Sequence, residues 1–181
     1  MKKEETIQNY NSIAIFIHWL IAVGVFGLFG LGLWMTDLGY YDAWYQTAPW
    51  LHEGIGVMLF LFLIVRILWS RISSPPEHLS THKRWEKIAS RLVQNLLNIL
   101  LFVISISGYL IITAKGDPLP VFDLFNIPAS FTGIKNQEDL AGEIHLFLAW
   151  VLIIFASFHA LAALKHHFID KDRTLKRMLG L

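Results

Sequence analysis

Residues 144–164 read IHLFLAWVLIIFASFHALAAL. No Asp, Glu, Lys or Arg interrupts this run, and its apolar residues are continuous rather than alternating. It reaches the roughly 20 residues that a helix needs to cross the hydrocarbon core of a bilayer. Two histidines stand in it, His145 and His159. Fourteen residues of helix advance about 21 Å and return a side chain to within roughly 40° of the same face. One helix thus carries two imidazoles along a single stripe, one near each membrane surface.

Working outward, three more apolar stretches appear. The first is free of charge from Thr6 to Thr36, densest over Ile13–Met35; the second runs over about Pro49–Ser70, and the third over Leu92–Ala114. Only Gly54–Val65 of the second is strictly charge-free, but Arg66 and Arg71 can snorkel to the headgroups. Continuous apolar runs specify helices, which satisfy their own backbone hydrogen bonds in lipid; barrel strands alternate. The expected fold is all-α, a single integral membrane four-helix bundle over residues 1–181, with helices at about 13–35, 50–70, 92–114 and 142–164. The composition agrees: 55% hydrophobic, 16% charged, mean hydropathy +0.50, against about 25% charge in soluble domains. With no cysteine in the chain, disulfides, thiol catalysis, Cys-ligated zinc, iron–sulfur clusters and covalent c-type haem are excluded. No soluble nucleic-acid-binding domain is visible.

Orientation follows from the cations. Thirteen of the fifteen Lys and Arg fall in the N-terminus, the second connection and the C-terminus, leaving only Lys115 and Lys135 for the first and third connections. By the positive-inside rule both termini face the cytoplasm of a bacterial inner membrane. Tyr40, Tyr41, Trp44, Tyr45 and Trp50 fit an outer aromatic belt. The first stretch is too long for a signal-peptide core of about 7–15 residues and reads as a retained helix. Pro75-Pro76 inside, and Pro118, Pro120 and Pro128 outside, punctuate the connections.

This topology sorts the eight histidines. His52, at the outer start of helix 2, matches the depth of His145; His18, near the inner end of helix 1, matches His159. His78, His82, His166 and His167 fall in inner basic segments. Two imidazoles facing each other at one depth suit the two axial positions of a haem iron, and the flat macrocycle sits well between helices. Gly56 and Gly142, one turn from His52 and His145, give a ring room to approach. Other uses of a membrane histidine remain open from spacing alone. One is an interhelical hydrogen bond. Zinc wants about four ligands at one point, whereas these divide two and two. A proton path favours mid-membrane carboxylates, and Glu53 and Glu143 lie near helix ends.

The segments IHWL around His18, LHEGIG around His52 followed by Arg66, and GEIHLFLAWVLIIFASFHALAALKHHFIDKDRTLKRML to the C-terminus resemble the prokaryotic cytochrome b561 family over nearly the whole chain. The resemblance implies two b-type haems, the outer held by His52 and His145 and the inner by His18 and His159. Within the family the chain is similar to small four-helix members described as superoxide oxidases. This implies oxidation of superoxide at the periplasmic face and electron transfer through both haems to ubiquinone. It also implies a quinone-site role for His166 and, from AKGDP, anion attraction by Lys115. Gln94 and Ser105 depart from relatives that often carry His and Pro there; neither position supplies a haem ligand.

The expected activity is therefore an electron wire, most specifically a superoxide:ubiquinone oxidoreductase, needing no general base or nucleophile. The alternative is an electron carrier serving a periplasmic redox protein. Asp37, Asp42, Glu53, Asp117, Asp123, Glu138, Asp139 and Glu143 make the outer face acidic, which suits a basic protein partner better than an anion.

Overall fold

The computed structural model describes residues 9–73, 76–77, 79 and 81–181. Lys2, Lys3, Pro75 and His78 lie outside the described residues. Four long helices carry the fold: α1 (Ser12–Thr36), α2 (Thr47–Ile72), α3 (Arg84–Ile112) and α4 (Gln137–Phe168). All four are long and apolar enough to cross a membrane. Strands β1 (Leu119–Val121) and β2 (Phe125–Ile127) form a small antiparallel hairpin between α3 and α4, and a short helix, α5 (Thr174–Leu179), ends the chain.

The helices overrun the apolar stretches that specify them. The third starts at Arg84 rather than near Leu92, because the backbone N–H of Lys83 donates to Glu86 Oε2 at 2.8 Å and caps a polar first turn. The fourth starts at Gln137, with Glu138 and Asp139 in the first turn, where negative charge is favourable. The Gln137 side-chain Nε2 donates to Leu110 O at 3.0 Å and Phe131 O at 3.1 Å, tying the outer loop to α3. In α1, the Asn11 side chain accepts from the Ile13 N–H at 2.8 Å.

Packing is inside-out relative to a soluble bundle. The buried centre is small: Ile17, Ile21, Leu59, Leu63, Leu100, Leu101, Ile104 and Leu152. Large apolar side chains such as Phe16, Val23, Leu68, Phe147 and Phe158 point outward, where lipid is their solvent. The closest helix neighbours are α3 with α4 and α1 with α2; α4 approaches α1 much less closely. A seam therefore separates the two helix pairs, and flat groups fit such a seam.

The end expected from the charge distribution to face outward, the outer end, is finished by aromatic residues. Trp34 meets Trp44 at 5.9 Å and Tyr40 meets Tyr45 at 5.7 Å between ring centres. The hairpin turn holds Phe122 and Asp123 in the left-handed region, at φ 48° and 58°, an uncommon position for a bulky residue. That turn drives the Phe122 ring over Gly54, where an added Cβ would come within 2.6 Å of it, and against Trp50 at 5.3 Å. Ala48, Leu119 and Val121 are buried beneath. The inner end is closed by α5: Trp19 Nε1 donates to Met178 O at 2.9 Å, and Arg177 donates to Glu77 O at 2.9 Å.

Candidate functional site

The four spaced histidines come together in the seam as two couples. His52 of α2 and His145 of α4 have ring centres 6.1 Å apart, with planes at 66°. His18 of α1 and His159 of α4 have ring centres 6.4 Å apart, with planes at 70°. A metal–imidazole bond of about 2.0–2.1 Å puts two rings on opposite sides of one metal roughly 6–6.5 Å apart, centre to centre. Both couples match that spacing, and neither contains a direct hydrogen bond between its rings.

The outer couple is held by its surroundings. His145 Nδ1 donates to Ile104 O at 3.0 Å, with Ser107 Oγ 3.1 Å away. A ring fixed through Nδ1–H keeps its Nε2 lone pair free, the form that binds a metal. Two glycines admit the rings: a Cβ on Gly32 would lie 3.1 Å from His52 Cε1, and one on Gly108 would lie 3.2 Å from His145 Cε1. Gly56 and Gly142, expected from sequence to give that room, have nothing within 4 Å. The close approaches to the imidazoles are made from the neighbouring helices, because a ring crossing a seam meets the facing backbone rather than its own. Gly56 still lines the cavity of about 460 Å³ that contains His52, His145, Gly108, Phe29 and Leu101. The buried Nδ1 atoms of His52 and His18 have no hydrogen-bond partner.

The inner couple is held differently. No side chain or carbonyl orients its rings among the described residues; Trp19 meets His18 edge-on at 5.5 Å. Arg66 stands fourteen residues after His52 on α2, the interval that separates His145 from His159, and its charge bears on both inner rings. Arg66 has no ion pair among the described residues, although it sits inside a membrane helix.

The donor set fits haem. The seam offers two facing imidazole couples, a cavity walled largely by apolar residues, and orphaned ring nitrogens. His18, His52, His145 and His159 are the residues that would hold it.

His166 is not in a solvated basic tail. Its Nδ1 lies 2.9 Å from both Asp170 Oδ2 and Asp172 Oδ2, and Asp172 Oδ2 is 3.1 Å from His82 Nε2. Burial would raise the Asp172 carboxyl, but hydrogen bonds from Thr174 and His82, with His166 nearby, hold it below the usual range. The sequence alone gives His82 no more than a place in an inner basic segment and Asp172 no role; the Asp-x-Thr of the tail is the available signal. At the outer end, Lys115 Nζ pairs with Glu138 at 2.8 Å, both side chains exposed.

A lipid-facing four-helix bundle with imidazole couples in its seam has the architecture of a membrane cytochrome. The family model "Prokaryotic cytochrome b561" matches residues 9–181. The chain is 48% identical to Cytochrome b561 homolog 2 of Escherichia coli K12, covering 99% of this chain and 96% of that one. It is 30% identical to Probable superoxide oxidase CybB of Yersinia pestis, over 95% and 96%, and 23% identical to Cytochrome b561 homolog 1 of Escherichia coli K12, over 96% and 98%. The chain belongs to the prokaryotic cytochrome b561 family, and so is a haem b membrane electron carrier.

Proposed function

We propose that the protein carries electrons across the bacterial inner membrane through two b-type haems, from a donor at the outer face to ubiquinone at the inner end. The observation that carries this reading is the pair of imidazole couples at 6.1 and 6.4 Å, set on one helix face fourteen residues apart. Haem supplies reversible one-electron chemistry, and the protein sets its orientation, potential and access. His52 and His145 hold the outer group, with Ile104 fixing the His145 tautomer. His18 and His159 hold the inner one beside the Arg66 cation. His166, seven residues past His159, contacts the quinone, and its carboxylate neighbours manage the two protons that accompany the two electrons in reduction to quinol. Both termini lie in the cytoplasm.

The donor is a basic redox protein of the periplasm. The outer face carries eight carboxylates against two lysines, one of them paired with Glu138, which favours a cationic partner. A second reading, superoxide as donor, rests on the 30% identical relative named a probable superoxide oxidase. Stopped-flow spectroscopy of the haem-loaded protein in quinone-containing liposomes separates them. The carrier reading expects haem reduction by a basic cytochrome or similar carrier, slowed by salt, and no quinol formation from superoxide above the spontaneous rate. Superoxide-driven quinol formation above that rate would replace it with the second reading. Haems that neither donor reduces, and that quinol does not reduce in reverse, would overturn both.

A further inference from the structure

The inner end holds a second constellation of metal-type donors, away from both imidazole couples. His82, just before α3, places Nε2 3.1 Å from Asp172 Oδ2. His166, in the last turn of α4, places Nδ1 2.9 Å from that same oxygen. The two rings are 4.8 Å apart. The donor atoms of His82, His166 and Asp172 all lie within 4.8 Å of one another, and so do those of Glu86, His166 and Asp170. Three parts of the chain converge here: the α2–α3 connection, the end of α4 and the segment entering α5.

Charge and burial both bear on what this cluster takes. The side chains of His82, His166 and Asp172 are only 13%, 16% and 8% exposed. Glu86, Asp170 and Asp172 supply three carboxylates, and Lys165 stands 2.6 Å from Asp170 and 3.7 Å from Glu86. With neutral imidazoles the group carries a negative excess. A proton on one imidazole or a bound cation offsets it, since half-buried charge of one sign is costly.

We propose that His82, His166 and Asp172 bind a divalent transition-metal ion of the zinc type, with a fourth position left to water. Two imidazole nitrogens with carboxylate oxygen suit zinc and its borderline neighbours; magnesium and calcium prefer oxygen alone. Bonds of about 2.0–2.1 Å set tetrahedral donors about 3.3 Å apart. The two ring-to-carboxylate pairs, at 2.9 and 3.1 Å, need to spread by only a few tenths of an ångström, and the two ring nitrogens lie within 4.8 Å of each other. Thr174, whose N–H donates to Asp172 Oδ1 at 2.8 Å, orients that carboxylate, the usual part of an outer-shell partner. Binding replaces the hydrogen bonds from the two rings to Asp172, and each neutral imidazole then carries its N–H on the nitrogen that faces away from the ion. The ion would clasp the α2–α3 connection to the C-terminal segment and tie up His166 Nδ1, so metal occupancy would regulate whatever His166 contacts. The site itself stands without the quinone reading, because its occupancy is measured with no electron transfer.

The test is equilibrium dialysis of the haem-loaded, tag-free full chain in detergent against zinc ions, read by elemental mass spectrometry. The expected result is one zinc per chain at micromolar concentration, with affinity at least tenfold weaker in His82→Ala and in Asp172→Asn. Equal zinc uptake by wild type and both variants, or no stoichiometric uptake by wild type, overturns the site. If a variant loses its haem spectrum through misfolding, zinc-edge X-ray absorption of the wild type decides instead. Two imidazole ligands plus oxygen support the proposal; a shell without imidazole overturns it.

Discussion

The two ends of the seam present the same imidazole couple in different surroundings. The outer couple is shaped by its neighbours: His145 is tethered to Ile104 O, two glycine backbones admit the rings, and the hairpin is packed on Gly54 close by. The inner couple has the Arg66 cation, with no ion pair among the described residues, and the edge of Trp19. The difference teaches that two imidazole couples of the same chemistry can be set one by shape and the other by charge. A site specified by shape is sensitive to volume. A site specified by charge is sensitive to electrostatics and tolerant of volume.

The largest effects come from the ligands. His52→Ala or His145→Ala should remove the outer haem while the inner one is retained; His18→Ala or His159→Ala should do the reverse. Absorption spectra of each variant check this, and loss of both haems from every variant would erase the distinction between the two ends. Next comes shape. Gly108→Leu should displace the His145 ring and empty the outer site at a cost of about 1–3 kcal/mol in overpacking, with the inner haem unchanged; intact outer-haem absorbance would contradict it. Third is charge. Arg66→Gln should keep both haems but lower the midpoint potential of the inner one. The loss of a nearby cation disfavours the reduced form by about 1 kcal/mol, or on the order of 40 mV. A redox titration with an unmoved inner potential would show that Arg66 does not tune that site. Smallest is Gly54→Ala, whose Cβ meets the rigidly placed Phe122 ring. It should loosen the hairpin and lower the thermal midpoint by a few degrees with both haem spectra intact; an unchanged midpoint would show that the hairpin is not pinned there.

Much of this was legible because membrane helices announce themselves through unbroken apolar runs, and because the interval from His145 to His159 on one helix fixes two depths at once. What was hidden depends on contacts across the seam. Gly32 and Gly108 matter because of the rings that face them from another helix, which proximity in sequence does not show. The hairpin was missed because its turn uses Phe122 and Asp123 in left-handed conformations, without the Asn-Gly signal that marks such turns. The early start of α3 was missed because its first turn is polar and held by a cap rather than by apolar periodicity. The His82–Asp172–His166 cluster was beyond reach, since its members are brought together only when the C-terminal segment folds back on the α2–α3 connection.

The central claim is that each imidazole couple holds one haem. Pyridine haemochrome quantification of the purified wild type, His52→Ala and His18→Ala proteins tests it most directly. The account predicts two haem b per chain in the wild type and one in each variant, with different residual spectra. One haem in the wild type, or two in either variant, would contradict it.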